Sequence, residues 1–116
     1  MTKENWIELN NEEDIKNFLN FSSNFHDASI MDGCISRQNN NIKIEFNNTN
    51  LGIIFVVKFI DVSQEENIDR VKIIFNSELK KYNLGFSFVI NEYLDYEGFD
   101  APAFIKCNKI QWSALQ

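Results

Sequence analysis

One histidine and two cysteines are all that the chain offers to imidazole or thiol chemistry, and Cys34 and Cys107 lie far apart with no cysteine beside either. That spacing excludes the zinc, haem and dithiol motifs. Both cysteines read as small, buried apolar side chains, and whether they approach each other is left to the fold. Long apolar runs are missing too. The longest, Ile53 to Val57 with Phe59 and Ile60 after it, is strand-sized and far short of the roughly 18 residues of a membrane span. The start, Met1-Thr2-Lys3-Glu4-Asn5, has neither the basic nor the apolar part of a secretory signal, so a cytoplasmic location without membrane attachment is expected. Positive charge is scarce. With 11 Lys and Arg against 17 Asp and Glu the net charge is -6, which repels nucleic acid and anionic lipid, attracts a basic partner, and also serves plain solubility.

What is present is core. Hydrophobic residues make up 44% of the 116, and 11 of them are phenylalanines, a composition far from that of chains that stay disordered. A chain of this length buries about two-thirds of its unfolded surface around one core, and no repeat or linker divides it, so residues 1–116 are expected to form a single domain.

Trp6 to Leu9 is a short apolar lead-in. Asn10 followed by Glu13 has the spacing of a helix cap with an acidic third residue, and Ile15, Phe18 and Leu19 form a narrow apolar stripe beyond it. Ser22 to Asn24 marks the exit. From Ala28 to Arg37 the period shifts towards two, with Gly33 as a candidate bulge. Ile42, Ile44 and Phe46 alternate with polar residues in the clearest half-buried strand, and Leu51 to Val62 reads as a central strand between turns rich in asparagine. Ser63 to Asn67 reads as a charged connection, and Val71, Ile73 and Phe75 as the inward side of a further strand. Asn76 to Asn83 is polar, with room for one helical turn. Leu84 to Asn91 alternates again with phenylalanines inward, and Phe104 to Ala114 forms the last strand with a bulge near Asn108. The pattern predicts an α+β fold, with an N-terminal helix packed on a mainly antiparallel sheet of five or six strands.

Chemistry is sparse. His26-Asp27 has the residue types of a base and its orienting carboxylate, but in extended backbone neighbouring side chains point to opposite faces and are poorly placed to bond. Two readings stand: both residues bond backbone groups where the helix enters the sheet, or His26 faces a ligand in a pocket at that junction. No serine or cysteine nucleophile has a recognisable motif, and one histidine cannot build a histidine-rich metal site. Asp95, Glu97 and Asp100 lack the order of an EF-hand loop, so no metal or cofactor is assigned. Gly85-Phe86-Ser87-Phe88-Val89 resembles the centre of an RNA-binding strand, yet Leu84 stands where a basic residue belongs and Asn91 where an aromatic belongs. A core phenylalanine stripe accounts for it. The acidic-aromatic string Tyr93, Asp95, Tyr96, Glu97, Phe99 and Asp100, in the irregular region that also holds Gly98 and the only proline, combines interface anchors with charges that select a basic partner. As a solvated loop it would instead tuck Leu94 and Phe99 into the core.

The Trp-containing lead, the helix and Phe25-His26-Asp27-Ala28 running into a strand resemble small bacterial domains with an F-H-D-(A/S) motif, immunity proteins of polymorphic toxin systems among them. The resemblance covers Trp6 to Ile30. It implies a cytoplasmic protein that binds and neutralises a cognate toxin, often a nuclease with a basic cleft, and it assigns no role to His26 or Asp27; with the net charge and the absent catalytic motif, a non-enzymatic binding module is expected. A small-molecule-binding domain or enzyme using His26, and an oligomeric scaffold, are the alternative expectations.

Overall fold

The computed structural model describes residues 5–92 and 103–115. Among them nine strands and one α-helix form two antiparallel sheets instead of the single sheet of five or six strands that the pattern predicts. The α+β class holds. One sheet has the order β1 (Ile7–Glu8), β9 (Lys109–Ala114), β4 (Ile53–Ile60), β3 (Asn41–Asn48) and β2 (Ile35–Gln38). The other has the order β5 (Gln64–Glu66), β8 (Ala103–Cys107), β7 (Gly85–Glu92) and β6 (Ile74–Tyr82).

Two corners join the sheets. At one, the expected strand from Phe104 to Ala114 bends at Asn108 and passes from the four-stranded sheet into the five-stranded one. At the other, Ser29 exchanges backbone hydrogen bonds of 2.8 and 3.0 Å with Asn47, while the N–H groups of Asp27 and Ile30 donate to the carbonyls of Ile74 and Lys72 at 2.9 and 3.0 Å. The expected strand from Ala28 to Arg37 is therefore a stitch at Ser29, a turn, and short β2. An added Cβ at Gly85, whose φ is +151°, would lie 2.3 Å from the Cys107 carbonyl oxygen, so only glycine lets β7 start beside β8.

The helix α1 (Glu12–Phe21) begins one residue later than Asn10 suggests. Asn11 is the cap: its Oδ1 accepts the Asp14 N–H at 2.9 Å, and the Asp14 carboxylate accepts the Asn10 N–H at 2.8 Å. Its Phe18 ring meets Phe55 and Trp112 of the five-stranded sheet. Immediately after α1 the chain takes a left-handed path, with Ser23, Asn24 and Phe25 at φ of 53°, 54° and 62°. Each such residue costs roughly 1–2 kcal/mol. The turn places Phe25 in the middle of the core, fully buried, with its ring 4.9–5.4 Å from those of Phe18, Phe46, Phe55 and Phe88. It thus touches the helix and both sheets, and burying such a ring contributes about 1.5–3 kcal/mol.

The strand around residue 74 runs in the opposite phase to the one expected. Ile74 is fully buried, whereas Ile73 and Phe75 are 50% and 45% exposed. Phe75 is a bulge residue, since Ile74 pairs with Glu92 but Asn76 pairs with Asn91. The extra residue resets the alternation and turns Ser77 and Leu79 inward. The polar stretch after it is strand rather than helical turn, because β6 is an edge strand whose outer side chains meet water. Ser63 to Asn67 likewise contains the edge strand β5.

Candidate functional site

The stretch Phe25-His26-Asp27 lies where α1, β3 and β6 meet. Asp27, like the turn before it, is left-handed at φ 65°, so the opposite-face geometry expected of extended neighbours does not apply. Its carboxylate swings back to 3.5 Å from His26 Nε2 and accepts a hydrogen bond from Asn50 Nδ2 at 3.1 Å. His26 Nδ1, 2.7 Å from the Phe75 carbonyl oxygen, carries the proton that it donates there. Both ring nitrogens therefore face protein oxygens. The imidazole and the Phe75 ring meet in an edge-type contact, centroids 5.8 Å apart, and Asn48 Nδ2 donates to the His26 carbonyl at 2.9 Å. The His26 side chain is 48% exposed.

Around this corner the surface carries apolar side chains. Ile73, Phe75 and Leu51 are each about half exposed, and Ile73 pairs with Ser29 on the outer side of the stitch. The register also fixes where the acidic-aromatic string leaves the fold. Ile90 pairs with Ala103, and Glu92 with the same Ile74 that accepts the Asp27 N–H. The root of that connection and the His26 corner, distant in sequence, share one end of the four-stranded sheet. Tyr93, Asp95, Tyr96, Glu97, Phe99 and Asp100 themselves lie outside the described residues.

Other features serve the architecture. Arg37 on β2 makes paired hydrogen bonds to the carboxylates of Glu65 on β5 and Asp69 just after it, with Nε to Glu65 and Nη1 to Asp69 at 3.1 and 3.0 Å. These bonds hold its guanidinium above the usual arginine range and tie the edge of one sheet to the edge of the other. The adjoining cleft, about 360 Å³, is lined by Arg37, Val62 and Glu65 among others and not by His26. Phe86 and Phe88 are buried, so neither ring of the RNA-strand look-alike offers a face to a base. Cys34 and Cys107 are both free thiols. Among the described residues no group of three or more His, Cys, Asp or Glu is placed to hold a metal ion, and no helix is long and apolar enough to cross a membrane.

Sequence reasoning points to His26 and Asp27 but misses Ile73 and Phe75, which it places inside. A bulge leaves no mark in hydrophobic periodicity beyond a phase slip, and here Ile73, Ile74 and Phe75 are all apolar, so no slip is visible. Comparison with protein-family models, curated proteins and solved structures finds no match for this chain.

Proposed function

We propose that the protein is a non-enzymatic binding module for a basic protein partner, of the immunity type that neutralises a bacterial toxin. It docks through the end of the four-stranded sheet where the His26 corner adjoins the root of the acidic connection. The observation that carries this reading is the half-exposed pair Ile73 and Phe75, an apolar centre beside that root. Interfaces typically place apolar anchors at the centre and charge at the rim. In sequence, the connection that leaves this root is acidic. Residues 92–102 hold Glu92, Asp95, Glu97 and Asp100 and no Lys or Arg, a charge of -4 out of the chain's -6. A basic partner would be steered to this end by that charge and held by apolar contact. The F-H-D resemblance points to the same class of partner.

The test is to purify the protein with the products of the genes beside its own and to measure binding by calorimetry and protection of cells by co-expression. A neighbouring basic toxin is expected to bind and lose its toxicity, and Ile73→Lys is expected to weaken that binding by about tenfold or more. Absence of binding and protection for every neighbouring product would overturn the proposal.

A further inference from the structure

A second surface lies apart from the His26 corner, towards the opposite end of β3 from Asn48. On the outer face of the five-stranded sheet Lys43 of β3 stands directly opposite Lys58 of β4. Like charges in facing positions repel and cost stability. Neither lysine has an ion-pair partner among the described residues. Both ammonium groups lie over the Trp6 ring instead, Lys58 Nζ at 4.5 Å and Lys43 Nζ at 5.8 Å from its centroid. The adjoining cleft, about 370 Å³, is lined by Ser36, Gln38, Asn39, Asn41, Lys43 and Lys58.

Each of these six side chains can donate a hydrogen bond, and none is a carboxylate. That is an unusual lining in a chain whose acids outnumber its bases 17 to 11. Asn41 Oδ1 already accepts the Asp61 N–H at 3.0 Å, which leaves its Nδ2 donors as the part of the amide not used by that bond. Two facing ammonium groups match a ligand with two negative charges on one centre, which a phosphoryl group carries near neutral pH and a single carboxylate does not. The cleft is also larger than a bare phosphate needs.

We propose that this cleft binds a small phosphate-bearing molecule, with the phosphoryl group between Lys43 and Lys58 and hydrogen-bonded from the surrounding hydroxyl and amides. Binding relieves the repulsion between the two lysines and draws Lys58 from the Trp6 ring. Occupancy is therefore reported by Trp6 fluorescence, since the other tryptophan, Trp112, is buried on the inner side of the same sheet.

The experiment titrates the full chain with inorganic phosphate, glucose 6-phosphate and AMP at pH 8 and constant ionic strength, so that screening does not change with ligand. The expected result is a saturable change in tryptophan emission that weakens by about tenfold in Lys43→Gln and in Lys58→Gln. Lys80→Gln, on the other sheet, should titrate like the native chain. Tighter binding of an ester than of inorganic phosphate would show that the organic part also occupies the cleft, and equal binding would make the phosphoryl group alone the ligand. Since a ligand of the folded state stabilises it, the same probes should raise the melting temperature of the native chain and not that of the double variant, whose circular dichroism checks its folding. A response that never saturates with any probe, or one unchanged in both lysine variants, overturns the proposal.

Discussion

Cys107 shows how far a single residue can be read before the fold is known. Its type and isolation mark it as a buried apolar side chain, and it lies 5% exposed on β8 facing the core. Burial there pushes its thiol up from 9.0 to about 12, against a smaller opposing effect of a hydrogen bond from the Ile60 backbone. Between these values the unfolded chain gives up the proton and the folded chain keeps it. The stabilisation from the neutral thiol is thus complete below pH 9 and is lost as pH rises towards 12. Denaturant midpoints at mildly and strongly alkaline pH should converge in Cys107→Ala relative to the native protein, the variant being the less stable of the two below pH 9. Equal pH slopes in the two would refute the assignment. Cys34 carries the same sequence signal but is only partly buried at the margin of the core, 3.7 Å from the Glu45 carboxylate. Residue type alone could not separate the two. His26 and Asp27 stand at the same limit: their contact depends on the left-handed φ of Asp27, which neither residue type announces.

At the scale of elements, the helix, the central strand β4 and the half-buried strand β3 were legible because their periodicity is long and their faces differ in polarity. The two-sheet arrangement was not. It depends on a bend at Asn108 and on the stitch at Ser29, each a single position with ordinary side-chain chemistry. β6 was hidden because an edge strand needs few apolar residues and the bulge at Phe75 breaks its phase. The turn from Ser23 to Phe25 was visible as a break but not as a left-handed one, and it supports a direct test. Ser23 has an unfavourable φ of 53° and an exposed side chain, so glycine there should stabilise the fold by about 0.5–1 kcal/mol once its greater unfolded-state entropy is counted. Ser23→Val should destabilise by more than 1 kcal/mol, roughly, because branching worsens the left-handed clash. Chemical denaturation of the two variants decides the matter: if both leave the midpoint unmoved, this turn does not hold the conformation that aims Phe25 into the core.

For the whole molecule, composition anticipated an acidic particle, and the fold adds where its acidity is rooted. Glu92 pairs with Ile74, beside the corner that holds His26 and the exposed Ile73 and Phe75, while Lys80 and Lys81 lie towards the other end of β6. Charge and apolar contact would therefore act on different stages of binding to a basic partner. Field effects govern encounter, whereas desolvated apolar contact governs residence. Replacing Asp95, Glu97 and Asp100 together by Asn, Gln and Asn should slow association by about tenfold at low salt and flatten its dependence on ionic strength, with little change in dissociation. Ile73→Ala should instead speed dissociation and leave the association rate and its salt dependence in place. Both rates can be followed by stopped-flow mixing with the partner over a range of salt. An unchanged association rate in the triple variant would remove the connection between β7 and β8 from the docking process, and an unchanged dissociation rate in Ile73→Ala would move the apolar centre of the interface away from the bulge.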